Sequence, residues 1–142
     1  MLVGSADTIA RARLYRKRLG GGMRQVGVLA APGLIALETM PARLAEDHAN
    51  ARLLAEGLAR VDGLSTDLTR AQTNIVIADV TGTGLTGAEF SQALHTRGVL
   101  ANAVSETAVR FVTHYDVSRE QCQTALAAIT EAALLARGRL GR

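Results

Sequence analysis

Residues 73–80 read TNIVIADV, and residues 109–114 read VRFVTH. Both are short runs rich in β-branched residues and bounded by turn formers, a composition that suits a pleated, largely buried strand. A third run, VLANAV at 99–104, precedes the turn-like Ser105-Glu106, so it and VRFVTH predict a hairpin or a neighbouring pair. Strands joined this closely form a small, mainly antiparallel sheet, and the fold class then depends on what surrounds it.

The surroundings read as helix. Between the strands, Thr86 and Glu89 have capping-box spacing and start a helix with Phe90, Ala93 and Leu94 on its apolar side, ending at Gly98. After VRFVTH, Ser118 and Gln121 cap a last helix on which Cys122, Leu126, Ile129 and Ala133 share a face. Ahead of the sheet, Pro41 suits the first turn of a helix whose stripe is Met40, Leu44, His48, Ala51, Ala55 and Leu58, closed by Asp62-Gly63. On its charged face Arg43–Asp47 and Glu56–Arg60 sit four apart and are expected to pair. Residues 23–40, MRQVGVLAAPGLIALETM, are apolar nearly all round, the pattern of a helix buried on most sides and kinked at Pro32. At the start, MLVGS reads as the end of a strand, and ADTIARARLYRKRLGGG as a short basic helix terminated by glycine. Helices first, then a small sheet covered by helices, define an α+β arrangement.

At 142 residues, with 48% apolar and 20% charged residues and two prolines, the chain has the composition of one packed domain or one large piece of a bigger enzyme. No run approaches the ~18 apolar residues of a membrane span, and no basic-then-apolar leader follows Met1, so the expected location is the cytoplasm, with no membrane partner. Cys122 is the sole cysteine, which excludes an internal disulfide and a thiolate metal cluster, and no histidine or carboxylate pair has metal-ligand spacing. The net charge of +3 rests on arginine, because Lys17 is the single lysine. The arginines are scattered and aromatics make up 3% of the chain, which argues against nucleic acid as a partner.

Several residues are candidates for chemistry. Gly20-Gly21-Gly22, flanked by Lys17, Arg18 and Arg24 and leading toward a helix, offers backbone N–H groups and cations to an anion such as phosphate; the alternative is a plain flexible loop. Arg110 interrupts the apolar AVRFVTH and calls for an acidic partner or a carboxylate ligand, unless strand alternation turns it outward. His48 reads as a packing histidine, His95 as a surface residue, and His114 stands beside Tyr115 and Asp116. Gly82-Thr83-Gly84-Leu85-Thr86-Gly87 mimics a dinucleotide fingerprint, but no further βαβ unit accompanies it.

RKRLGGGMRQVGVLAAPGLIALETM and the following RLAEDHANARLLAEGLA closely resemble the low-specificity L-threonine aldolases of the β-eliminating lyase family. QTNIVIADV and VRFVTHYDVS with the final helix resemble that family's C-terminal end, so the likeness covers essentially the whole chain; Pro32 stands where alanine is expected. The resemblance implies the small C-terminal domain of a fold-type-I pyridoxal-phosphate enzyme, with residues 1–40 ending the large cofactor domain and forming linking helices, and 41–142 forming the small domain. It implies cleavage of threonine or allo-threonine to glycine and acetaldehyde, a small amino-acid substrate, and a homo-oligomer, tetrameric in the complete enzyme. By position, Arg110 resembles the arginine that holds the substrate carboxylate. Lys17 and Arg24 resemble cations near the active site that reach the cofactor phosphate or the substrate hydroxyl region of a neighbouring subunit, Lys17 in a catalytic and Arg24 in a cofactor-binding role. The family's cofactor-anchoring lysine motif has no match here, and Lys17 answers to a different lysine. The implied expectation is a C-terminal portion that is inactive alone; the other readings are a regulatory or interaction module, or a dinucleotide-binding domain.

Overall fold

The computed structural model describes residues 2–140. The chain divides into two compact units, Met1–Pro41 and Ala42–Arg142.

In the first unit, helix α1 (Ala6–Arg18) begins at Ser5, whose hydroxyl accepts the Thr8 N–H, and ends on Arg16, Lys17 and Arg18, cations suited to the negative end of a helix. The strand end expected at residues 1–5 does not form over residues 2–5: no strand lies among the described residues of this unit to pair with them. Helix α2 (Gly27–Glu38) is shorter than the helix expected over 23–40, because Val26 caps it without a side-chain bond and a turn at Thr39 separates it from the next helix. It runs through Pro32, which has no N–H to give the Val28 carbonyl. The burial expected on most sides is not met within this chain: no residue of α2 is buried, and Val28, Leu29, Leu34, Ile35 and Leu37 are all more than half exposed.

The second unit carries the sheet. Strand β1 (Ile75–Asp79) pairs antiparallel with β3 (Ala108–Val112), which pairs antiparallel with the two-residue β2 (Asn102–Ala103), giving the order β1-β3-β2. The strand expected over 99–104 thus contracts to two residues. Burial alternates along β1 and β3: Val76, Ala78, Val109 and Phe111 face the core, whereas Ile75, Ile77, Arg110 and Val112 face outward. The largely buried strand expected at 73–80 is therefore covered on one face only, as antiparallel sheets commonly are.

Helices cover the inner face. Helix α3 (Met40–Leu58) contributes Ala51, Leu54, Ala55 and Leu58, α4 (Gly87–His95) contributes Phe90 and Leu94, and α5 (Arg119–Leu140) contributes Cys122, Ile129 and Ala133. Thr86 and Glu89 form the expected capping box, and Ser118 exchanges bonds with Gln121 at the start of α5. On α3 the expected stripe holds from Ala51 onward but not before: His48 and Leu44 are exposed, and Asp47 and Asn50 are buried instead. They go inside because each finds a partner there, as described below. Glu56 pairs with Arg52 at 2.7 Å rather than with Arg60, which lies beyond the end of the helix. No single helix among the described residues is long and apolar enough to cross a membrane.

Candidate functional site

In the first unit the glycine run is built around Lys17. Gly20 has φ of +82°, and a Cβ on Gly22 would lie 2.7 Å from Lys17 Cδ, so the lysine stem crosses a position only glycine can occupy without displacing it. The Gly20 and Gly21 N–H groups donate to the Lys17 and Arg16 carbonyls, closing α1 instead of facing a ligand. The run also does not open directly into a helix, since residues 23–26 intervene before α2. What stays available to an anion is therefore side-chain charge: Lys17 and Arg24 are exposed, and neither takes part in an ion pair among the described residues. That donor set fits an anionic group such as a phosphate.

In the second unit Arg110 is exposed, so the outward orientation allowed by strand alternation is the one adopted. Its setting is unusual for a surface arginine. Directly opposite it stand Ile77 on β1 and Asn102 on β2, and Ile75, Ile77 and Val112 are 43%, 47% and 42% exposed. Arg110 thus rises beside Ile75, Ile77 and Val112 on a face that also carries Asp79, and it is engaged by no hydrogen bond or ion pair among the described residues.

Beyond the end of β3 the chain is held by a polar cluster that sequence periodicity does not reveal. Arg43 donates to both oxygens of the buried Asp47 carboxylate at 2.9 and 3.0 Å and lies 4.9 Å from the Tyr115 ring centre. The Thr113 hydroxyl donates to the Asp47 carbonyl at 2.7 Å, Asn50 donates to the Val117 carbonyl, and Asn74 donates to the Thr113 carbonyl. The expected Arg43–Asp47 pair therefore exists, but its carboxylate is buried rather than on a solvated face, and it fixes segment 113–118 behind the strand that carries Arg110.

The remaining candidates lead away from chemistry. His48 and His95 are exposed, and His114 Nδ1 accepts the Asp116 N–H. Cys122 is buried and its thiol pKa is pushed up by burial, which disfavours the reactive thiolate. No group of three His, Cys, Asp or Glu side chains suited to a metal occurs among the described residues. The dinucleotide-like glycines have local duties: Gly82 lies against the Gly63 backbone, Gly84 ends a 3-10 turn at φ of +75°, and a Cβ on Gly87 would lie 2.6 Å from the Ser105 carbonyl. The three glycines are accounted for by packing and turning, and none needs a phosphate to explain it.

Among solved structures, that of MppP soaked with the product 2-ketoarginine superposes with a TM-score of 0.56 at 17% identity, over 70% of this chain and 30% of that one. The likeness establishes the fold: a small antiparallel sheet under helices, forming part of a larger protein in that neighbour. Residues 1–82 match the family described as beta-eliminating lyase, and the chain belongs to that family. The family is one of pyridoxal-phosphate enzymes. The chain is 46% identical over 121 residues to the low specificity L-threonine aldolase of Escherichia coli (strain K12), covering 85% of this chain and 34% of that protein. It is 42% identical over 119 residues to a probable low-specificity L-threonine aldolase 2 of Arabidopsis thaliana, covering 83% and 34%. The chain thus spans about a third of the length of these relatives, corresponding to their C-terminal part.

Proposed function

We propose that this chain forms the C-terminal part of a pyridoxal-phosphate-dependent threonine aldolase, which cleaves L-threonine or L-allo-threonine to glycine and acetaldehyde. Residues 1–40 would close the large cofactor domain and link it to the small domain at 41–142, in a cytoplasmic homo-oligomer, a tetramer when complete. The observation that carries the reading is Arg110, a guanidinium without a hydrogen-bond or ion-pair partner among the described residues, beside Ile75, Ile77 and Val112 on the outer sheet face, in a chain 46% identical over 121 residues to an aldolase of that name.

The chemistry follows from what these residues are able to hold. A guanidinium presents two parallel N–H donors to a carboxylate, and the flanking Ile77 and Val112 reduce competition from water around that contact. Arg110 thereby fixes the substrate carboxylate and, through it, the orientation of the Cα–Cβ bond. The Arg43–Asp47 and Asn50 contacts tie down the segment after β3 and so hold the register of the strand. Lys17 supplies a positive charge toward the substrate hydroxyl in the site of a neighbouring subunit, and Arg24 one toward the cofactor phosphate there. Pyridoxal phosphate, when bound, supplies the electron sink that accepts the Cα–Cβ electron pair. The hydroxyl proton leaves as acetaldehyde forms, and a proton returns to Cα to give glycine.

The test is a chimera in which residues 1–142 replace the matching C-terminal third of the E. coli enzyme. The expected result is threonine-dependent acetaldehyde release; a folded, cofactor-loaded chimera that releases none would overturn the reading.

A further inference from the structure

We propose that Asn102 is a second substrate-carboxylate contact, acting beside Arg110. The inference rests on the aldolase reading and deepens it. Residues directly opposite each other in an antiparallel pair project from the same face with Cβ atoms about 5 Å apart. Asn102 is the β2 residue opposite Arg110, so its carboxamide and the guanidinium rise together from the open face of the sheet. Both side chains are exposed, and none of the hydrogen bonds among the described residues engages the Asn102 carboxamide. The other directly opposite residue, Ile77, is aliphatic, and Asp79, two positions further along that face of β1, already accepts the Thr81 N–H, so the unengaged amide beside Arg110 is the one on β2.

The chemistry of the row Ile77–Arg110–Asn102 defines what it selects. A carboxylate has about four acceptor positions and a guanidinium fork fills two. An adjacent amide N–H₂ donates to a third, and its carbonyl oxygen repels the carboxylate only if the amide is turned over. Aspartate at this position would instead pair with Arg110 and neutralise it. The length of β2 adds a second argument. The strand retains only Asn102 and Ala103, and these are the residues opposite Arg110 and Val109, so the pairing that survives is the one that sets Asn102 beside the guanidinium.

The experiment uses the cofactor-loaded chimera and follows glycine binding through the cofactor's visible band, with glycinamide, which lacks the carboxylate, as the control. For Asn102→Ala, loss of a hydrogen bond to a charged group is expected to raise the glycine Kd about tenfold, with glycinamide binding and the thermal midpoint unchanged. Asn102→Asp is expected to weaken glycine binding further than Asn102→Ala does. A purely structural Asn102 would move glycine and glycinamide together. Unaltered glycine affinity in both Asn102 variants, in a chimera whose Arg110→Ala form has lost it, would overturn the Asn102 assignment alone. If the unsubstituted chimera fails to respond to glycine, the aldolase reading falls and this inference with it.

Discussion

At the scale of single residues the decisive contrast is between two arginines. Arg43 is spent on Asp47 and lies over Tyr115, so its charge is consumed in holding the fold. Arg110 has no such partner, so its exposed guanidinium is left open to an anionic ligand. Replacing Arg110 by alanine in the chimera removes a charge-assisted bidentate contact of ~2 kcal/mol or more. The expected outcome is a fall of at least about thirtyfold in kcat/KM for threonine, with the cofactor's absorbance retained; steady-state kinetics and a spectrum check both halves. The sequence made Arg110 visible because a charge among Val109, Phe111 and Val112 is conspicuous. Its neighbour Asn102 was not visible, since only the register of two strands brings an unremarkable asparagine beside it. Asp47 departs from the pattern for a related reason: helical periodicity assigns charged residues to the solvent side, and the Thr113 hydroxyl that donates to the Asp47 carbonyl lies 66 positions away.

At the scale of elements, two features of the α4 region separate packing from chemistry. A Cβ on Gly82 would meet the Gly63 Cα at 2.9 Å and its carbonyl oxygen at 3.0 Å, and backbone cannot step aside as a side-chain tip can. Gly82→Ala is therefore expected to lower stability by about 2 kcal/mol, read as a shift in the urea midpoint; an unchanged midpoint would show the close approach to be dispensable. At the start of α4, hydrogen bonds from the Thr86 backbone and then its hydroxyl hold the Glu89 carboxyl below the ordinary glutamate value. A depressed folded-state pKa stabilises above the unfolded value and loses that contribution as pH falls through the folded one. Glu89→Gln should thus narrow the stability difference between neutral and acid pH, as judged by thermal midpoints across that range. The capping boxes were legible because they depend on a spacing of three residues, whereas the one-sided cover of β1 was not, since its β-branched run reads as buried throughout. The length of β2, the break between residues 23 and 26, and the helix-closing use of the Gly20 and Gly21 amides depend on contacts that no local pattern encodes.

At the scale of the molecule the uncovered face of α2 is apolar. From Val26 to Leu37 the chain carries no charged residue, and within these 142 residues none of α2 is buried. At ~25 cal/mol per Å², a few hundred Å² of such surface is worth several kcal/mol when removed from water. The 142-residue chain is accordingly expected to sediment as oligomers and, lacking the family's anchoring lysine motif, to release no acetaldehyde on its own. Leu29→Glu together with Ile35→Glu should return it toward monomer; a wild-type chain that remains monomeric at high concentration would refute the association. The same helix has Gly27, Pro32 and Gly33 and no side-chain cap, all poor for helix formation in isolation, and twelve residues are too few for a helix to persist alone in water. Its order and its cover are therefore one event: diluting the chain should melt α2, so that far-ultraviolet ellipticity per residue depends on protein concentration, while the signals of the sheet unit do not.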